Sequence, residues 1–588
     1  MNATTPPSLR HRLPLMAFAA MLLLPSSATA LITEFIGPND YDPNFGYAWS
    51  DSSYSDQGLP GPGDDVLVSE RLDGSSDPYP HFGPLLVVNT TINSLTLGDH
   101  TSVNNAVIGP GKNLFVSDHT DMGNASSLTN FAGRFSLGTL YQYDAGTKTM
   151  DFGRLFYLGD REASGTGILE FRNADIQTNK SFFLIYGAHC FVRDQLTGLN
   201  AFRNLAINDG ILWFNDGYRL TTGGNLTNNG AISLNINPLD SRTPELHISG
   251  NFVNNGTVKL YGRSVFTVAG GLSGTGTIEI VGLPVTCDVP GVWTLNGGVV
   301  NFGGSGLDGF TLKAIAFRAE NNATVKGSGT IEAGVIITSG TIAPGNSAGT
   351  IGVKGNLTLE AGAKLQMEIA GKTHDKITQH TGAAGTVLGG ALEVTTIGDF
   401  DDEVLHTSTY EILTSNLPLT GAFSNVASGA RLNTADGKGS FRVDYGTGAA
   451  APAKVMLSDY IAVNAPQTYA QWIAAQGVAA PDNDPLDDPN GDGIENLEAY
   501  FRGIAAAGDS QPRGLSTAAS QGNLIVTIRS PRTVTGVTLG SKITNNFDNT
   551  QNGPVPVLVG TTPTRNIHEI TVPASGPRGF ASFTIGQD

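Results

Sequence analysis

Gly224-Asn225-Leu226-Thr227-Asn228-Asn229-Gly230-Ala231-Ile232-Ser233-Leu234 is followed, 26 residues on, by Gly250-Asn251-Phe252-Val253-Asn254-Asn255-Gly256-Thr257-Val258-Lys259-Leu260. Degenerate copies read Gly271-Leu272-Ser273-Gly274-Thr275-Gly276-Thr277-Ile278-Glu279-Ile280 and Gly327-Ser328-Gly329-Thr330-Ile331-Glu332. A period of this length marks a solenoid or a similar array. Within each unit apolar and polar residues alternate for a few positions and then break at Asn-Gly or Gly-x-Gly, the signature of short strands with one buried face. One such coil cannot bury its inward Leu, Ile and Val side chains. Coils stacked about 4.8 Å apart pair their strands in parallel and close a continuous core. Gly and Asn supply the left-handed backbone that corners require, and stacked Asn residues are expected to ladder their amides along the axis. The predicted fold class is all-β, a right-handed parallel β-helix; an antiparallel sandwich with chance repetition is the competing architecture.

Composition agrees with that reading. Glycine supplies 75 of 588 residues, and Asp, Glu, Lys and Arg together only 15%, against roughly 25% in an ordinary globular domain. Hydrophobic content of 40% is too high for disorder. The formal charge of −18 argues against nucleic acid and anionic membrane as partners, because both need a positive surface. Cys190 and Cys287 alone make no disulfide framework, and spacing leaves open whether they form a single bridge.

At the N-terminus Arg10-His11-Arg12 precedes an apolar run from Leu13 to Leu24, and Ala28-Thr29-Ala30 offers a small-residue cleavage site. This is the pattern of a secretory signal peptide, expected to be cut after Ala30. Its apolar run is short of the roughly 20 residues a membrane span needs. No other stretch reads as a transmembrane segment. The expected location is outside the cell or on the outer surface of a Gram-negative-type bacterium.

Earlier sequence fits the same body less regularly. Gly58-Leu59-Pro60-Gly61-Pro62-Gly63-Asp64-Asp65-Val66-Leu67-Val68 and Ile92-Asn93-Ser94-Leu95-Thr96-Leu97 resemble the opening coils of secreted bacterial β-solenoids, with Trp49 ahead of the turn. The aromatic residues Phe131, Phe135, Tyr141, Phe152, Phe156 and Tyr157 are expected in the lateral core, with a sugar-binding platform as the alternative. Farther on, Gly340-Thr341-Ile342-Ala343-Pro344-Gly345-Asn346-Ser347-Ala348-Gly349-Thr350-Ile351 and Gly355-Asn356-Leu357-Thr358-Leu359 resemble the motif of autotransporter passenger solenoids and autotransporter-associated β-strand repeats. His374-Asp375-Lys376-Ile377, Leu388 to Val394 and Tyr410-Glu411-Ile412-Leu413-Thr414 are similar to the distal coils and cap of such passengers. The resemblance covers roughly residues 223–460 and implies fold and secretion, not chemistry. Only 128 residues follow Tyr460, so a fused membrane barrel of many strands is not expected and export falls to other machinery.

After Tyr460 the pattern changes. Pro466 to Gln476 has helical apolar spacing with Thr468 as cap and Gly477 as stop. The acidic stretch Asp482-Asn483-Asp484-Pro485-Leu486-Asp487-Asp488-Pro489-Asn490-Gly491-Asp492-Gly493 leads into a second helical run. Helix, acidic loop, helix is the layout of an EF-hand-like calcium site. Asp488, Asn490 and Asp492 hold loop positions 1, 3 and 5, Gly493 the sharp turn, Ile494 the carbonyl position and Asn496 position 9. Position 12 is Ala499, and Glu498 falls one residue early, so Asp484 or Asp487 is an alternative last ligand. An acidic turn without metal is the competing reading. The segment resembles the calcium-loop module and small β tail near the C-terminus of secreted Verrucomicrobia-type proteins, which implies structural calcium.

The expected order is a signal peptide over 1–30, a β-solenoid over 31–370, distal coils and cap over 371–460, helix, loop and helix over 461–515, and a small β-sandwich-like domain over 516–588. No nucleophile elbow, phosphate loop or zinc-ligand helix is present. The carboxylates Asp399, Asp401, Asp402 and Glu403, with His406, read as a solvated turn, as does Asp160-Arg161-Glu162; His189 and His247 read as structural. The function expected is therefore a secreted or cell-surface structural or adhesive protein without catalytic residues. Its rivals are a polysaccharide lyase or glycosidase, which a row of carboxylates on adjacent coils would revive, and a carbohydrate-binding protein, which exposed aromatics on one face would support. Extracellular polysaccharide or cell-surface components are the expected partners.

Overall fold

The computed structural model describes short strands between residues 32 and 130, then 134–151, 155–159, 167–236, 242–282, 285–303, 310–345, 348–380, 385–504, 515–544, 550–573 and 580–588. The signal-peptide segment, Phe131, Phe152 and Asp160-Arg161-Glu162 lie outside these residues. The chain is mostly β, with about ten β-solenoid turns between residues 90 and 396, short helices near 469–502 and small antiparallel sheets at the C-terminus. It divides into two compact units, Met1–Tyr218 with Asp240–Arg242, and Arg219–Leu239 with Thr243–Asp588.

In the first unit parallel strands stack on three faces. One face carries Thr90–Ile92, Asn113–Val116, Arg134–Ser136, Ile168–Phe171 and Phe191–Asp194. A second carries Asp65–Val68, Ser94–Leu97, His119–Met122 and Thr139–Leu140. The third carries Asn105–Ile108, Ser127–Asn130, Leu155–Leu158, Phe182–Tyr186 and Ile211–Asn215. Alternation places Phe156, Phe183 and Phe214 fully inside, where Phe156 and Phe183 stack at 4.7 Å. Truncating any one of these rings to Ala removes about 3–5 kcal/mol. Buried carboxylates are satisfied: Glu170 lies between Arg134 and Arg193, Asp175 takes Lys148 at 2.6 Å and Arg203 at 3.1 Å, and Asp194 accepts from the Ala174 and Thr197 amides.

In the second unit the repeat is a structural register. Leu226 pairs with Phe252 and Asn228 with Asn254, while Ala231, Thr257, Thr277 and Val299 occupy one position in successive coils. Glycine permits the close stacking: a Cβ on Gly256 would meet the Gly230 carbonyl oxygen at 2.0 Å. From residue 285 the two short strands of each coil merge into the long strands Val285–Asn296, Thr311–Glu320, Gly329–Thr338 and Thr350–Leu359. One expectation needs correction here. Thr277-Ile278-Glu279 stacks on Val299-Val300-Asn301, whereas Thr330-Ile331-Glu332 stacks on Thr311-Leu312-Lys313 in another face. The Gly-Ser-Gly-Thr-Ile-Glu copy is thus out of phase, because the intervening coils differ in length.

The parallel stack closes on an antiparallel cap. Tyr410–Thr414 pairs with Lys454–Ala462, which pairs with Gly439–Tyr445. Phe400, Tyr410, Phe441 and Tyr460 interlock beneath it, with Phe400 and Tyr460 edge to face at 4.8 Å. The helix Tyr469–Ala475 follows, with Thr468 and Gln471 forming the capping box. Tyr469, Trp472 and Ile473 pack against Leu497, Tyr500 and Ile504 of the second helical segment. Two antiparallel sheets complete the chain, one built on Asn523–Pro531 and Arg565–Pro573 and one on Val537–Thr544 and Phe580–Gln587. Arg565 ties the first of them to the cap through Asp402 at 2.7 Å.

Candidate functional site

In the first unit the strand alternation that sends Phe156, Phe183 and Phe214 inward sends their neighbours outward. Leu155, Phe182 and Ile211 form one outward row, and Tyr157, Leu184 and Trp213 the next. Tyr186 extends the face, and all seven side chains are half-buried. Tyr157 and Tyr186 lie 5.6 Å apart between ring centroids, tilted by 36°. Phe182 meets the Trp213 ring edge-on at 4.7 Å. An outward apolar row is a feature that interaction surfaces share, and Tyr and Trp join a flat apolar body to a polar tip. One end of the face carries a charged rim at the preceding corner, where Lys180 bonds Asp151 at 3.1 Å and Asp209 is exposed.

The lateral-core expectation thus holds for Phe135 and Phe156, which are buried, and fails for two tyrosines. Tyr157 points out of the third face. Tyr141 is 57% exposed and stacks on the His119 ring at 4.8 Å. The strand period was the available signal, since Tyr157 and Trp213 each stand one residue from a buried Phe.

The acidic loop gathers some of its expected residues. The Asp488 carboxylate accepts from the Gly493 amide at 2.8 Å and the Asp492 amide at 3.2 Å. Asn490 Oδ1 accepts from the same Asp492 amide at 3.3 Å, and Asn490 Nδ2 donates to Asp492 Oδ2 at 3.0 Å. Asp492 Oδ1 accepts from the Ile494 amide at 2.9 Å. Left-handed Gly491 and Gly493, at φ of 70° and 84°, make the turn that folds these side chains over it. Asn496 goes elsewhere: it is buried, and its Nδ2 donates to the carbonyl oxygens of Asp482 and Asp484 at 3.0 and 2.9 Å. Glu498 pairs with Arg502 at 2.9 Å. Among the described residues no three His, Cys, Asp or Glu side chains converge on one point. The loop's donor set is two carboxylates and an amide oxygen, a hard-oxygen set that fits calcium in kind and falls short in charge.

The turn at residues 399–406 is built as part of the cap. Asp399 precedes the single helical turn Phe400–Glu403, Asp402 holds Arg565, and Glu403 pairs with Lys372 at 3.2 Å and accepts its amide at 2.8 Å. His247 meets Thr267 of the next coil at 2.7 Å and Glu245 of its own strand at 3.0 Å. Carboxylates on neighbouring coils interleave with lysines, as in Lys259 with Glu279 at 3.2 Å and Lys364 with Glu393 at 3.1 Å. Cys190 and Cys287 are both free and buried, and burial pushes their thiols up to about 11 and about 12. No described helix is long and apolar enough to cross a membrane. Comparison of the chain with protein-family models, with curated proteins and with solved structures finds no match, and no family is assigned to it.

Proposed function

We propose that this chain is a secreted or cell-surface structural and adhesive β-solenoid of the autotransporter-passenger kind, which works by holding extracellular polysaccharide rather than by turning it over. The outward face of Tyr157, Phe182, Tyr186 and Trp213 carries the reading. Sugar rings present axial C–H groups that lie against aromatic faces, and their hydroxyls reach for a polar rim such as Asp151 and Lys180. A stiff stack of parallel strands fixes the backbone of that face and so lowers the ordering cost on binding. The acidic loop takes a structural role in the same scheme. Asp488, Asn490, Asp492 and the Ile494 carbonyl would hold calcium, which supplies charge neutralisation and order to the turn between the two helices. The test is sedimentation of the full mature chain with insoluble cellulose, chitin and xylan. Binding to at least one that falls tenfold or more in Trp213→Ala with Tyr157→Ala supports the reading; no retention on any of them, or retention untouched by the double variant, overturns it.

A further inference from the structure

We propose that the corner of the second unit formed by residues 288–355 is a self-association surface that pairs with the same corner of a second copy of this chain. Four consecutive coils place Asp288, Lys313, Glu332 and Lys354 in one column, residue against residue. Just past that column the register slips, between Val289 and Val292 and between Glu332 and Val335, and the bulges bring Pro290, Ile315, Gly334 and Gly355 together as a second row, two residues beyond Asp288, Lys313 and Glu332 and one beyond Lys354. These side chains line an open groove of about 700 Å³. Ile315 stands at its edge 63% exposed.

Column and row are both self-complementary under one symmetry operation. A two-fold axis lying in the surface, parallel to the strands and midway between the coils of Lys313 and Glu332, reverses the order of coils and leaves positions along the strand unchanged. It sets Asp288 against the second copy's Lys354 and Lys313 against the second copy's Glu332, so every charge meets its opposite. The same operation sets Ile315 against Gly334 and Pro290 against Gly355, so each projecting side chain meets a position without one. An isologous contact demands this matching. Within one chain only half of the charge column is satisfied: Lys354 pairs with Glu332 at 3.3 Å, whereas Asp288 and Lys313 make no ion pair among the described residues. Alternating charge also lets two chains of −18 each approach at a locally neutral patch.

The test is analytical ultracentrifugation of the full mature chain. A concentration-dependent monomer–dimer equilibrium is expected. Lys313→Glu and Glu332→Lys, both at solvent-facing positions, should each weaken association at least tenfold. Mixing the two variants should restore it, as should the swapped Lys313→Glu/Glu332→Lys chain, which shows that neither change acts through misfolding. Ile315→Glu should abolish dimers in every background. A wild-type chain that stays monomeric at several hundred micromolar overturns the proposal, as it would if a polysaccharide or peptide were the groove's occupant. A dimer indifferent to the single charge reversals, or not restored by the swap, overturns it equally.

Discussion

Asn228 donates through its side-chain amide to Asn254 Oδ1 at 2.8 Å, so that two residues 26 positions apart in sequence form one rung of an internal ladder. Asn254 passes the chain on by donating to the Thr277 carbonyl at 3.1 Å. Both side chains are buried. Their neighbours repeat the arrangement at the surface, where Asn255 donates to Asn229 Oδ1 at 3.0 Å.

Asn254→Ala should therefore cost far more than Asn255→Ala, although the two residues are adjacent and identical in type. The first leaves buried polar groups without a partner, at about 1–3 kcal/mol for each. The second returns its partner to water and should stay within about 0.5 kcal/mol. Urea unfolding of the two variants, followed by far-ultraviolet circular dichroism, measures the difference. Equal effects would mean that the ladder contributes no more than a surface contact.

Much of this architecture was legible because the repeat and the strand period are local properties. The doublet at 228–229 and 254–255 announces both ladders, and alternation through Val258 and Leu260 gives the buried face. The outward aromatic face was not legible from composition, since Tyr157 and Phe156 are neighbours in one aromatic-rich stretch and only the register of the strand separates them. The groove beside Ile315 was hidden for another reason. Its four charges are 19 to 25 residues apart at irregular intervals, and bulges between coils decide which of them align. The loop at 488–493 was read from spacing alone, yet spacing could not tell that Arg502 takes Glu498.

Gly256→Ala tests the stacking distance itself. The added methyl carbon would lie 2.0 Å from the Gly230 oxygen and 2.8 Å from the Asn229 carbonyl carbon, both backbone atoms that cannot swing aside. Coils would have to separate locally, and overpacking of this kind costs about 1–3 kcal/mol or more. Gly224→Ala, with open space around the new carbon, is the matched control and should be close to neutral. A fall in thermal midpoint for Gly256→Ala alone is the expected result.

Asp375 gives the distal coils a specific pH dependence. Its side chain is buried, and its two oxygens accept from the Gly349 and Glu368 amides at 2.8 Å each. Burial, helped by the nearby Glu368 carboxylate, outweighs those bonds and pushes the carboxyl up to about 7. A folded-state value above the unfolded one means that the folded chain holds the proton more tightly. This group's contribution is then complete below about pH 4 and is lost as pH rises toward 7. Glu411 works in the opposite sense. Burial opposes its ionisation, yet Lys376, Lys454 and Thr414 overcome it and bring the carboxyl down to about 2. Its contribution is present above about pH 4.5 and disappears as pH falls toward 2. Thermal midpoints of Asp375→Asn and Glu411→Gln should accordingly lose the two slopes separately, the first between pH 4 and 7 and the second below pH 4.5. Parallel curves for wild type and both variants would contradict the assignment.

The acidic loop should respond to calcium weakly and through order rather than chemistry. Asp488, Asn490 and Asp492 already fold over the turn, held by the amides of Asp492, Gly493 and Ile494, so little rearrangement is needed to admit a cation. Only two carboxylates contribute, because Glu498 lies against Arg502. Low ligand charge places the affinity in the roughly 10⁻⁴–10⁻³ M range of extracellular modules. With a dissociation constant near 1 mM, calcium at 10 mM stabilises the closed loop by about 1.4 kcal/mol, a tenfold drop in the population that opens. That population is what a protease sees when opening is fast. Cleavage between the helices Tyr469–Ala475 and Asn496–Arg502 of the full chain should slow about tenfold in 10 mM calcium, and equal magnesium should do much less. Asp488→Ala should remove the protection and leave the solenoid's own melting unchanged. Arg502→Ala frees Glu498 and should tighten calcium binding if that carboxylate swings to the ion, at some expense to the helix whose last turn carries Arg502. Cleavage that is insensitive to calcium in the wild-type chain would show that the loop is an acidic turn and nothing more.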